Sequence, residues 1–132
     1  MAFGSQVTLT GRHGDVVQRV TEALAGQGLV VLAVLDLREV MQVSLGVAIP
    51  DQVVLGVCRA PLAAAALSVE PSLGLLLPIQ VVVRAEAQEV MVVEAADPAV
   101  MVAVTGNAAL KPLVRDCAVR LAAAMSSLES AA

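Results

Sequence analysis

Residues 53–83 read VVLGVCRAPLAAAALSVEPSLGLLLPIQVVV, two apolar runs around an alanine-rich centre broken by prolines. Val53–Cys58 and Leu75–Arg84 are rich in β-branched residues and predict strands. Pro61 suits the first turn of a helix, where its missing N–H is no loss, and Pro71 bars that helix from running past Glu70. Pro78 cannot donate to a ladder, so it is expected at an edge or bulge of its strand. The stretch therefore reads strand, helix, strand. It also sets Cys58 and Arg59 at the point where the first strand hands over to the helix.

Before this stretch, Val7–Thr10 predicts a short strand. Asp15 is expected to cap a helix reaching Gln27, with Val16, Val17, Val20 and Leu24 on one face. Gly26 and Gly28 suit its exit, where positive φ is needed. LVVLAVL at 29–35 reads as a strand buried on both faces or nearly so. Asp36 and Glu39 have the spacing of a helix start, Leu37, Val40, Met41 and Leu45 form an apolar face, and Gly46 ends that helix.

After the stretch, Glu89–Ala95 predicts another strand, joined tightly to its predecessor through Glu86–Gln88, with both faces of Val90–Val93 apolar. Asp97-Pro98 starts a short helix that stops near Gly106. A last helix from about Ala109 or Pro112 to Ser130 carries the stripe Leu110, Val114, Cys117, Leu121, Ala124, Met125 and Leu128. Alternating strands and helices would by themselves also allow a parallel βαβ arrangement through the first half.

The chain has 132 residues, and one domain over 1–132 is expected. Hydrophobic residues make up 58% of it, against roughly 45–50% in ordinary soluble proteins. Yet no uncharged run exceeds thirteen residues, whereas a spanning helix needs about 20 apolar ones. A soluble chain is expected, with no membrane partner. MAFGSQVTLTGRHGD lacks a basic leader and apolar core, and two cysteines are too few for a disulfide scaffold, so the expected location is cytoplasmic. A net charge of −4, scattered basic residues and a single aromatic, Phe3, argue against nucleic acid. The aliphatic surplus, including the two-faced Val90–Val93, instead predicts a homodimer formed through a strand edge or sheet face.

The order of these motifs resembles the bacterial and archaeal family called domain of unknown function 302. The likeness is carried by "GLVVLAVLDL" after the first helix, "LG" at Leu45–Gly46, "VLGVCRAPLAAAAL", "EPSLGLLLPIQVVV", and "AADPAVM" followed by a long helix. The resemblance implies an α+β fold similar to the TATA-binding-protein type. A curved antiparallel sheet of about five strands would carry the long C-terminal helix across it, and homodimers are expected. It implies no chemistry. This chain departs from the family pattern at Ala60, where Asn often precedes the first proline, and at Ile79, where Cys often follows the last. Within Ala63–Ala66 it has alanine where a polar or basic residue is common.

The candidate ligand-binding residues are Cys58, Arg59, Pro61 and Pro78. A cation and a helix N-terminus both lower a thiol pKa, which would make Cys58 reactive; burial as a small apolar residue is the competing reading. Strand alternation points Arg59 away from an inward Cys58. Cys117 sits on an apolar stripe and reads as core. His13 reads as a solvated turn residue, and one histidine with two cysteines at no ligand spacing predicts no metal site. The carboxylates read as caps and strand ends, and no phosphate loop or cofactor motif occurs. The favoured function is a non-enzymatic dimeric module binding a small apolar or sulfur-containing molecule near Cys58. A thiol-dependent redox enzyme or sensor, and an interaction module without ligand, are the alternatives.

Overall fold

Alternation of side chains builds the sheet. The computed structural model describes residues 4–130. Its strands are β1 (Gly4–Thr10), β2 (Val30–Asp36), β3 (Gln52–Cys58), β4 (Ile79–Ala87) and β5 (Val90–Ala96), in the order β1-β5-β4-β3-β2. Every neighbouring pair is antiparallel, so the fold is α+β and the parallel alternative falls away. Antiparallel partners share a face. Val7, Val93, Val83 and Val53 thus form one continuous buried row, and Ala95, Val81 and Leu55 form the next. On the other face Arg84 bonds Glu94 at 2.8 Å and Glu86 at 2.6 Å, and Val92 is covered between its partners Thr8 and Arg84.

Five helices follow the strands: α1 (His13–Gly26), α2 (Leu37–Leu45), α3 (Ala60–Val69), α4 (Val100–Thr105) and α5 (Lys111–Ser130). Helix α5 packs against α1 and β1. Its stripe is the expected one, with Cys117, Leu121, Ala124, Met125 and Leu128 buried and Leu110 just ahead of it in the core. The cap expected for α2 forms, with Asp36 accepting from Glu39 N at 3.1 Å; Asp97 instead accepts from Ala99 N at 2.9 Å in the turn ahead of α4, whose N-cap residue Ala99 supplies no side-chain bond. Gly46 and Gly106 close the two helices in the left-handed conformation. No helix is long and apolar enough to cross a membrane among the described residues.

Several expectations need correction. Helix α1 begins at His13, so Asp15 lies in its first turn, and the extended N-cap residue Arg12 supplies no side-chain bond. Of the two exit glycines only Gly28 has positive φ. His13 is half-buried, and its Nε2–H donates to the Val83 carbonyl 3.0 Å away, tying α1 to the central strand β4. Strand β4 starts at Ile79 rather than at Leu75, because Pro71–Leu75 forms a short 3-10 turn. Pro78 therefore precedes its strand instead of interrupting it. The largest difference concerns apolar strands. Met91, Val92 and Val93 are buried within the chain, whereas Val30, Leu32, Val34 and Leu35 lie exposed on one edge of the sheet. A run that reads as a doubly buried strand has been placed at an edge.

Candidate functional site

Strand β3 delivers Cys58 to the edge of the helical layer, and Pro61 in the first turn of α3 redirects the chain there. From that junction Leu62, Ala63 and Ala66 of α3 face a cavity. Leu73, Leu77 and Ile79 close one side, and Met101, Leu113 and Cys117 close another. Counting its solvent-facing mouth, the cavity has a volume of about 400 Å³. Much of that volume belongs to the open mouth, so the enclosed part is narrow. It takes a group of a few heavy atoms.

Three sulfur-bearing residues belong to this lining, Cys58, Cys117 and Met101. Both cysteines are reduced and buried. Burial pushes the Cys58 thiol above its usual pKa, with no cation acting to lower it. The Cys117 thiol is also raised, first by burial, then by Asp116 and by Cys58 itself, while Arg120 and Arg59 oppose the shift. Two neutral, poorly nucleophilic thiols in an apolar hollow are the consequence.

Arg59 is the single charged residue of the lining. Its guanidinium lies over Gly28, where a Cβ would come within 2.6 Å of Nη1. Arg120 approaches the same glycine, donating to the Gln27 carbonyl at 2.8 Å and pairing with Asp116 at 2.9 Å. Among the described residues Arg59 has no carboxylate partner.

Of the four candidate residues, Cys58 and Arg59 line the cavity. Pro61 is exposed on α3, and Pro78 packs instead on Gly56, its Cγ 2.6 Å from where a Cβ would stand. Cys117 is the site residue that sequence reasoning assigned to the core alone. It is buried as expected, yet it faces the same hollow as Cys58. No local signal reports this, because the two are brought together only when α5 crosses the sheet. Among the described residues, no group of three or more His, Cys, Asp or Glu side chains is placed to hold a metal ion. A second, shallower concavity lined by Arg12, His13, Arg38, Asp51 and Glu86 mixes both charges, and Arg38 and Asp51 already pair there at 3.1 Å.

Comparison with known proteins agrees with the topology. A family described as domain of unknown function DUF302 matches residues 5–128. The crystal structure of an uncharacterized conserved DUF302 protein from Bacillus stearothermophilus superposes with a TM-score of 0.87 at 26% sequence identity. That match covers 97% of this chain and 99% of the other. No curated protein matches. Motif order, sheet topology and the match over 5–128 have one reading: the chain belongs to the DUF302 family.

Proposed function

We propose that this protein is a small, non-catalytic, dimeric binding module whose cavity beside Cys58 takes a small apolar or sulfur-containing molecule. The observation that carries the reading is the cavity lining: three sulfur-bearing residues among aliphatic side chains, with Arg59 as the one charge. Sulfur is polarisable and makes favourable contacts with soft, weakly polar groups. The lining brings no carboxylate, imidazole or hydroxyl to the hollow, so the usual acids and bases of hydrolysis are not assembled there. Ile79 lines the cavity at a position where the family pattern often has Cys, and Ala63 and Ala66 line it from the stretch 63–66 within which a polar or basic residue is common, which makes this chain's version more apolar. The raised thiols weigh against the redox alternative, since the thiolate is the attacking species.

The test is thermal melting with C2–C4 thiols, thioethers and alkanes at millimolar concentration. A ligand at 100 times its Kd stabilises by about 2.7 kcal/mol. A raised Tm with the thiols or thioethers, absent in Ala63→Leu where the hollow is filled, supports the reading. Flat melting curves across the whole panel would remove it.

A further inference from the structure

One of the two edges of the sheet, β2, carries the second feature that this chain leaves without a partner. Strand β2 pairs only with β3, and between Val30 and Leu35 it contains no charge and no proline. Natural edge strands are normally blunted by such residues or by irregularity. Here the one device is a register shift between Val31 and Ala33. Exposure of large apolar side chains is heavy on both faces of this strand: Leu32 is 63% exposed, Val34 66% and Leu35 47%. Helix α2 continues directly from β2, its formation secured by the Asp36 cap, and none of its residues is buried; Val43 is 79% exposed and Leu45 68%. On the open sheet face the apolar row runs inward from Leu35 to Val54 and Val82.

The geometry points to a second copy of this chain as what covers this edge, through antiparallel pairing of β2 with β2 about a two-fold axis and with α2 flanking the seam. This assignment rests on the dimer proposed above and names its surface. Exposure is the first argument. Eight Val and Leu residues across β2, α2 and Val47 stand 39–79% exposed, an apolar surface of the kind that marks an interaction site. Charge is the second. A strand edge with no charged side chain from Val30 to Leu35 meets an identical edge without opposing like charges, so it is self-complementary in the way a two-fold interface requires. The third is the strand itself: both of its faces are apolar, the composition of a strand inside a sheet and not at its rim.

Sedimentation equilibrium on the whole chain from micromolar to millimolar concentration tests this, with Val34→Glu and Leu32→Lys as the two perturbations. Both side chains are already exposed within one chain, so a charge there leaves the monomer fold intact, as circular dichroism and Cys58 protection verify. The expected result is a wild-type dimer whose dissociation constant rises at least a hundredfold in either variant, while the melting response to small thiols persists. A wild-type dimer unaffected by both substitutions overturns this surface and leaves the dimer standing. A wild-type monomer at millimolar concentration overturns both. A purified monomer that associates only with a different protein overturns the second copy as occupant. Loss of the thiol response alone, with dimerisation intact, strikes the ligand reading and not this one.

Discussion

Replacing Gly56 by alanine adds one methyl group at a point where the structure has no room for it. The new Cβ would stand 2.6 Å from Pro78 Cγ and 3.3 Å from both Pro78 Cβ and Ala33 Cβ. Carbon atoms rest at about 3.5–4.0 Å, so the shortest contact must open by roughly 1 Å. The obstacle is a proline ring and not the end of a flexible chain. Pro78 is followed at once by Ile79, which is paired with Val57 in the ladder, so the ring has little freedom to retreat. Overpacking of this kind costs about 1–3 kcal/mol. Restricting the unfolded chain returns about 0.4–1 kcal/mol, because Gly56 does not need positive φ. Because the ring cannot retreat, the cost lies in the upper half of that range, and the net loss is about 1–2.5 kcal/mol. For a chain of this size that lowers Tm by roughly 3–10 °C, read by circular dichroism. An unchanged or higher Tm for Gly56→Ala would refute the packing argument.

The thiols and the turn ahead of α4 give further tests. Alkylation of Cys58 at pH 7 should be slower than that of a small free thiol and should accelerate only as pH rises beyond the ordinary thiol range, because burial raises its pKa. Rapid labelling at pH 6, abolished in Cys58→Ser, would make redox chemistry the leading reading. The same shift has a stability consequence. An acid kept neutral by folding contributes fully below its unfolded pKa of about 8.5, and that contribution is lost as pH climbs above it. Urea midpoints should fall on the alkaline side, and less steeply in Cys117→Ala after allowance for its lower baseline. Asp97→Ala removes the acceptor for Ala99 N in the turn that leads into α4 and should cost about 1 kcal/mol in chemical denaturation; no measurable change would mean that this turn bond contributes nothing to stability.

Much of this architecture is legible locally. The stripe of α5 declares its buried face because helical spacing needs no knowledge of the partner, and Asp36, Gly46 and Gly106 mark helix ends through chemistry confined to a few residues. The strands at 29–35 and 90–93 show where that legibility stops. Both are apolar on two faces, and only the strand order decides that one lies inside the sheet and the other at its rim. That order is a matter of long-range pairing, which no local pattern encodes. The site behaves in the same way. Cys58 and Arg59 stand out at the junction of a strand and a proline-started helix, but Cys117 joins them only through the crossing of α5. Pro78 misleads because its nearest unusual neighbour is not the cavity but Gly56, a strand away. His13, flanked by glycine in sequence, reads as solvated until β4 offers it a carbonyl.

The central claim is that the hollow between Cys58 and Cys117 holds a small molecule in a dimer, and native mass spectrometry of the protein from its own cell extract tests it most directly. The account expects a mass of twice the chain plus a small non-covalent adduct that leaves on gentle activation and is missing from Ala63→Leu. A bare mass for the wild-type protein, or an adduct retained when the cavity is filled, would contradict it.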